Sequence, residues 1–321
     1  MFPGERERGA ALLTVLLLVA VVAVMAATGL ERLRLATRLG GNVVAVDQAR
    51  SFAEAAEALA LSRIDQLLGT NPSRVSLAGG WSNTPFGLPL PGGGSAVARV
   101  TDGANCFNLN GLVTAVSPGI YASDAGQRAV FARLMRLLGT PAQVAEQVAA
   151  GAADWIDTDA DQQVMGAEDQ TYLAQSRAYR TAGTLMTDPS ELRAVAGVTP
   201  VLYAALRPWL CALPIALPAP INVNTLAPEQ APLMAMLAPD NLSIDAARAA
   251  LMKRPPNGWS DAGSFWSASG AGAAGQAGVA SKWFTLRIEV TSGRATVTER
   301  ALIDATRLPA RLVARQWGED L

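Results

Sequence analysis

Carboxylates crowd one segment of this chain: Asp154, Asp157, Asp159, Asp161, Glu168 and Asp169, with Gln163 among them. Counted from Asp157, the side chains of Asp159, Asp161, Gln163 and Glu168 stand at the third, fifth, seventh and twelfth positions. That is the ligand spacing of an EF-hand loop, in which alternate residues of a turning loop point inward and a late glutamate closes the shell with both oxygens. Gln163 would give a carbonyl oxygen, and Asp169 is a further candidate. Gln162 stands where an EF-hand has glycine, so the EF-hand turn itself is in doubt while oxygen-ligated calcium is not. The expectation is one or two structural Ca2+ ions held by Asp157, Asp159, Asp161, Gln163, Glu168 and Asp169. The alternative is a solvated acidic loop, against which stands the mutual repulsion of carboxylates in a compact fold.

Other chemistry is bounded by absences. The chain of 321 residues has no histidine, which removes Ser-His-Asp and Cys-His hydrolases, histidine-ligated zinc and histidine acid–base catalysis. No nucleophile-elbow, phosphate-loop or dinucleotide fingerprint is present. Gly92-Gly93-Gly94-Ser95 precedes strand-like residues, not a helix, and reads as a linker. A net charge of −1 gives no electrostatic footprint for nucleic acid. The two cysteines, Cys106 and Cys211, fit one disulfide in an oxidising compartment, with a reduced buried pair as the alternative.

The elements that must position the acidic segment begin with an oily rod. From Ala10 to Leu30 there is no charge and no proline, enough apolar helix for the ~30 Å core of a bilayer. One reading is a secretory signal peptide cut near Ala23–Ala27, although such apolar cores usually run only about 7–15 residues. The other is a type IV prepilin leader cut after Gly9, with the helix from Ala10 retained. Helical patterning continues to Leu68, with Val46, Phe52, Ala56, Leu59 and Leu67 near one face and Asp47, Arg50, Glu54, Glu57 and Asp65 on others. Gly40-Gly41 is its expected weak point, and Gly69-Thr70-Asn71-Pro72 stops it.

Residues 70–94 read as loop and Ser95–Asp102 as a strand, followed by a short extended piece at Cys106–Asn110. The next strands lie far along the chain, where Phe284–Val290 and Ala295–Ala305 alternate around a turn at Thr291–Arg294. The spacing predicts an antiparallel sheet with an insertion of helical pattern over 111–280. Its expected helices are Ala125–Leu138, Pro141–Ile156 with Thr140 as cap, one capped by Asp188 with Glu191 closing the box, Pro200–Leu210, Pro228–Leu237 and Ser243–Met252. Residues 267–280 read as a mobile loop. Leu192–Pro200 and Asn222–Thr225 resemble pieces of a helix–hairpin–helix, but with few basic neighbours a protein-contacting module is the better reading.

The chain resembles the K minor pseudopilins of the type II secretion system. The likeness is carried by Arg8-Gly9 and the apolar helix, Cys106–Asn110, Asp154-Trp-Ile-Asp157 with Gly166–Asp169, Ser190-Glu191-Leu192 with Gly197–Pro200, Trp209–Leu213 and Ile221–Thr225. The resemblance implies an α+β, pilin-like fold: a long N-terminal helix packed on a small antiparallel sheet, with a large inserted all-α domain. The division is a leader (1–9), a transmembrane or filament-core helix (10–30), a first pilin-like part (31–110), the insertion (111–280) and C-terminal strands (281–321). It also implies cleavage after Gly9 by the prepilin peptidase, methylation of Ala10, calcium in the acidic segment, and a Cys106–Cys211 disulfide tying the sheet edge to the insertion.

The implied place is the tip of a periplasmic pseudopilus, with the I and J (and H) minor pseudopilins as partners and no nucleic acid. The implied location is single-pass in a bacterial inner membrane with the bulk in the periplasm. Thr14 stands where most pilins carry glutamate at mature position 5. Such a carboxylate is costly in an apolar core unless it meets the amine of the subunit one step nearer the tip. A subunit with nothing above it has no amine to meet. The competing expectation is an exported, calcium-dependent hydrolase with a cleaved signal peptide.

Overall fold

Residues 4–91, 93–238, 241–272 and 275–318 are described by the computed structural model; the first three residues of the expected leader and the last three of the chain lie outside them. In chain order the elements are α1 (Gly4–Thr70), β1 (Phe86–Pro89), β2 (Ser95–Asp102), β3 (Phe107–Asn108), β4 (Val113–Ser117), β5 (Ile120–Ser123), α2 (Ala125–Leu137), α3 (Ala142–Ile156), α4 (Asp169–Leu173) and α5 (Pro200–Leu206). Then come β6 (Leu210–Cys211), β7 (Ile221–Asn222), α6 (Ala231–Ala235), α7 (Ile244–Met252), α8 (Ala262–Ser269), β8 (Ala277–Gly278), β9 (Trp283–Ser292), β10 (Ala295–Asp304) and β11 (Arg311–Trp317).

Helix α1 has 67 residues and so runs about 100 Å at 1.5 Å per residue. It passes Gly40-Gly41 unbroken; neither glycine has a neighbour there within 4 Å. From Ala10 to Val44 every residue is exposed, and burial begins only at Ala45. Beyond that, Ala49, Ala53, Ala56, Ala60, Ile64 and Leu68 form the buried stripe, at the three- and four-residue spacing of one helix face. The alanines let the helix settle close on Ala96, Ala98, Leu286, Ile288 and Ala301 of the sheet.

The sheet has the order β1-β2-β9-β10-β11, with every neighbouring pair antiparallel. The alternation expected for β9 holds: Phe284, Leu286, Ile288 and Val290 are buried. The stretch expected to be loop carries β1, because Phe86–Pro89 gains ladder partners from β2 that no local pattern announces. Of the residues expected on the core face only Ala56 is fully buried, Val46, Phe52, Leu59 and Leu67 being half-buried beside the stripe, and one residue expected off it is buried. Glu57, placed off the core face by periodicity, is only 6% exposed and meets Arg315 of β11, whose Nε and Nη2 donate to its Oε2 at 3.0 and 2.8 Å. Glu299 of β10, fully buried, lies beside this pair with Arg315 Nε 3.5 Å away. Burial, followed by the neighbouring Glu57, pushes the Glu299 carboxyl up to about 8.

Between β2 and β9 the chain builds a second, larger core from α2, α3, α5–α8 and the turns between them. It is helical apart from the β4–β5 hairpin and the two-residue strands β3, β6, β7 and β8. The cap of α3 is Pro141 with no side-chain bond, not Thr140. Asp188 does form its capping box with Glu191, but over a 3-10 turn at Pro189–Ala194. The segment expected to be mobile is partly ordered: α8 ends at Gly270 in the left-handed region, and β8 pairs in parallel with β7. Cys106 and Cys211 are bonded, with Cα atoms 5.8 Å apart, beside the β3–β6 pairing.

A buried polar joint links the two cores. Asp102 Oδ2, at the end of β2, accepts from Thr225 Oγ1 at 2.6 Å and from Ser281 Oγ. Asn222 Nδ2 donates to Val75 O at 3.0 Å and to Ser281 Oγ at 2.8 Å. Burial is the largest influence on Asp102 and raises its pKa, with the hydrogen bonds from Ser281 and Thr225 opposing it.

Candidate metal centre

The acidic segment hangs from the end of α3. Asp154 lies in its last turn and Asp157 occupies its C-cap, three residues on and therefore on the same face. Asp157 also stands at the negative end of the helix dipole, an unfavourable place for an anion. The loop is pinned to Asp154, whose Oδ2 accepts from Ala167 N at 2.8 Å and from Gln163 N at 3.2 Å. Gly166 is required by this close approach, since a Cβ there would lie 2.0 Å from Asp154 Oδ2. The loop's base rests on Trp155, Tyr172 and Tyr179, whose rings pack within 6.0 Å of one another.

Two carboxylates here have oxygens without hydrogen-bond partners among the described residues, although Glu168 Oε2 accepts from Asp169 N at 3.3 Å. Both oxygens of Asp157 and Oε1 of Glu168 are buried and accept no hydrogen bond. Burial, then the charges of Asp159, Asp154 and Glu168, pushes Asp157 up to about 7. Burial also lifts Glu168 to about 7 and Asp154 to about 6. Oxygen-only donors, orphaned, buried and crowded by like charge, fit a hard divalent cation. Among the described residues no group of three or more histidines, cysteines or carboxylates is already gathered as a shell.

The sequence-predicted set is only partly brought together. Asp159 and Asp161 are exposed, and Asp159 Oδ1 is occupied by Asp161 N at 2.9 Å. Gln163 contributes its backbone amide to Asp154. Asp169 points away from the cluster. Its Oδ1 accepts from Thr181 N at 3.0 Å and Thr181 Oγ1 at 3.1 Å, and its Oδ2 from Arg180. The Thr181 amide, first, holds its carboxyl below the ordinary value. The left-handed residue of the loop is Met165 (φ 67), not position 162, so the turn differs from an EF-hand's. The residues that spacing left out of the ligand set are Asp154 and Gly166; the three-residue step from Asp154 to Asp157 on one helix was the available signal.

The remaining predicted sites lie on α1 or in the second core. Ala10 is exposed at the start of the apolar rod, while the surroundings of Gly9 lie outside the described residues. Thr14 Oγ1 donates to Ala11 O at 2.9 Å, so the hydroxyl is satisfied within the helix. The Gly197 turn is exposed and lies against Gln147 of α3, the nearest side-chain atom being 3.5 Å from an added Cβ.

Comparison with known proteins gives one answer throughout. Family models described as type II secretion system (T2SS), protein K match residues 105–215 and 221–287. The type II secretion system protein K of Klebsiella pneumoniae is 33% identical over 98% of this chain and 98% of its own length. That of Aeromonas hydrophila is 36% identical over 80% of this chain and 78% of its own. In the solved GspK–GspI–GspJ complex of the enterotoxigenic Escherichia coli type 2 secretion system, one chain matches with a TM-score of 0.72 and 30% identity. The match covers 85% of this chain and 97% of that one.

Proposed function

The chain belongs to the type II secretion system protein K family, and from that premise we propose that it is a non-enzymatic minor pseudopilin of the pseudopilus tip. In this reading it assembles with I and J minor pseudopilins, helps start the filament, and so serves export of folded proteins across the outer membrane. The solved relative was captured together with GspI and GspJ, which supports the choice of partners.

One observation carries the reading: α1 is a single rod whose first 35 described residues past Gly9, Ala10–Val44, stand exposed, while its far end is buried on the sheet. So long an exposed apolar surface demands a bilayer or a bundle of similar rods. In this reading the chain is cleaved after Gly9, methylated on Ala10 and passes once through the inner membrane with its head in the periplasm; the exposed apolar helix supports the anchoring. Thr14, neutral and self-satisfied, suits a subunit with no neighbour above it.

Calcium completes the head. Asp157 and Glu168 would hold it, and Asp154 would keep the loop folded around them. When bound, the ion neutralises the orphaned carboxylates and joins the end of α3 to the start of α4. The test is mass spectrometry of the mature chain with co-purification of I and J subunits from membranes. Methylated Ala10 and retained partners are expected. A start near Ala26–Gly29 with no partners would favour an exported hydrolase instead.

A further inference from the structure

Past the apolar rod the first charges on α1 are Glu31, Arg32, Arg34 and Arg38. Arg34 and Arg38 precede Ala45, Ala49 and Ala53 at spacings that keep one helix face. They therefore continue, towards the N-terminus, the stripe on which the sheet sits. The sheet itself stops short of them. Its near end is the turn at Gly293-Arg294, between β9 and β10. Between that turn and α1 lies a cleft of ≈ 350 Å³ lined by Thr37, Arg38, Gly41, Asn42, Ala45 and Arg294.

The lining holds two guanidinium groups and no carboxylate. Acids along the neighbouring elements are turned to other cations: Asp47 stands 4.0 Å from Arg50, and Glu289 takes Arg287 Nε at 3.0 Å. Among the described residues no carboxylate lies within 4.0 Å of Arg38 or Arg294, and both side chains are exposed.

The height of the cleft matters as much as its charge. Arg38 lies eight residues past Leu30, the end of the apolar run, which is about 12 Å along the axis. The headgroup layer of a bilayer is about 5–8 Å thick on each side of the hydrocarbon. Helical side chains lean towards the N-terminus, here the bilayer side, and a long arginine reaches back to the interface. A tilt of about 20° brings the cleft lower still.

Taking the membrane-anchored reading of α1 as given, we propose that this cleft binds the phosphodiester of an anionic phospholipid between Arg38 and Arg294. The two unesterified oxygens match the planar guanidinium forks. A lipid also lays its acyl chains along the apolar rod, which a free phosphate cannot do. A choline lipid brings its own cation to a site that already holds two. The bound lipid seats the head of the molecule at a fixed height on the membrane.

In the test, the mature chain with its helix intact is exchanged into mixed micelles of phosphatidylglycerol and phosphatidylcholine in equal amounts. The lipid it retains is counted by native mass spectrometry. Wild type should prefer the anionic lipid about thirtyfold, a preference reduced about fivefold in R38Q and in R294Q and lost in the double variant. R38K should keep most of it, because an ammonium also serves phosphate. R248Q, on an exposed arginine paired with Asp245 of α7, should match wild type. Should R38Q disturb the helix, R294Q on the turn decides. Equal retention of the two lipids by wild type, or an equal loss in R248Q, overturns the proposal. So does release of phosphatidylglycerol by equimolar glycerol 3-phosphate, which would make this a free-phosphate site. An unchanged lipid preference in the double variant, with I and J subunits no longer co-purifying, would make a neighbouring subunit the occupant and equally overturn it. A mature chain soluble without detergent would overturn the anchored reading as well, whereas an anchored chain with no lipid preference overturns the lipid site alone.

Discussion

Two carboxylate clusters are buried in this molecule, and the fold treats them oppositely. In the helix-on-sheet half, Glu57 is hydrogen-bonded by Arg315, which also reaches the exposed Glu54 at 3.2 Å and stands 3.5 Å from Glu299, whose oxygens accept no hydrogen bond among the described residues but have this guanidinium beside them. The cation there is covalently part of the chain. In the inserted half, Asp154, Asp157 and Glu168 lie together with the charge of Arg128 nearby but, among the described residues, no guanidinium bonded to them, and three of their oxygens have no hydrogen-bond partner. The difference teaches where a stable joint ends and a conditional one begins. The first cluster ties α1 to β10 and β11 through a cation the chain itself supplies. The second leaves buried carboxylates at the end of α3 with no counter-cation bonded to them among the described residues, which is what the proposed calcium would supply.

The comparison breaks first if Arg315 is expendable. R315A strips the buried Glu57 of its guanidinium and leaves an uncompensated charge, and should cost about 3–5 kcal/mol in denaturant unfolding. The neighbouring Glu299 sets a slope with pH. The folded value of Glu299, about 8, lies above the ordinary 4.5, so between those values the native state holds the extra proton. Its contribution to stability is present below about 4.5 and is lost as the pH rises through about 8. E299Q should flatten that part of the stability–pH curve, which unfolding at matched ionic strength would read.

Next in size is calcium. At a free concentration one hundred times Kd, it should stabilise the wild-type chain by about 2.7 kcal/mol. D157N and E168Q should abolish the response, and each should be at least as stable as wild type in chelator, because an orphaned charge is gone. In chelator the wild-type cluster should gain stability as the pH falls from about 7 towards 4, since Asp157 and Glu168 have raised values. In calcium that trend should reverse, because protons compete with the ion. Calorimetric scans at several pH values check both signs. The smallest effect is expected of Gly166→Ala, whose Cβ would displace the Asp154 carboxylate and cost about 1–3 kcal/mol, with calcium affinity reduced in parallel.

Legibility in the sequence followed the range of the interactions. The apolar rod, the alternation of Phe284–Val290 and the box of Asp188 with Glu191 are local patterns, and each stands where it was expected. The acidic segment was legible as a crowd of carboxylates because they are close along the chain. Which of them turn inward was not. Asp169 spends its oxygens on Arg180 and Thr181, while Asp154, inside a helix, becomes the loop's anchor. Strand β1 and the burial of Glu57 were hidden for the same reason, since their partners, Ala96–Ala98 and Arg315, are remote.

The sequence alone determined the greasy helix, the absence of histidine chemistry, the two-cysteine arithmetic and the clustering of acid, because these depend on composition and on neighbours a few residues apart. Only the tertiary structure decided which charge receives a partner. Desolvation is set by what the whole chain packs around a group, so Arg315 answers Glu57 across 258 residues while Asp157, with acid on either side of it in sequence, is buried with no hydrogen-bond partner among the described residues.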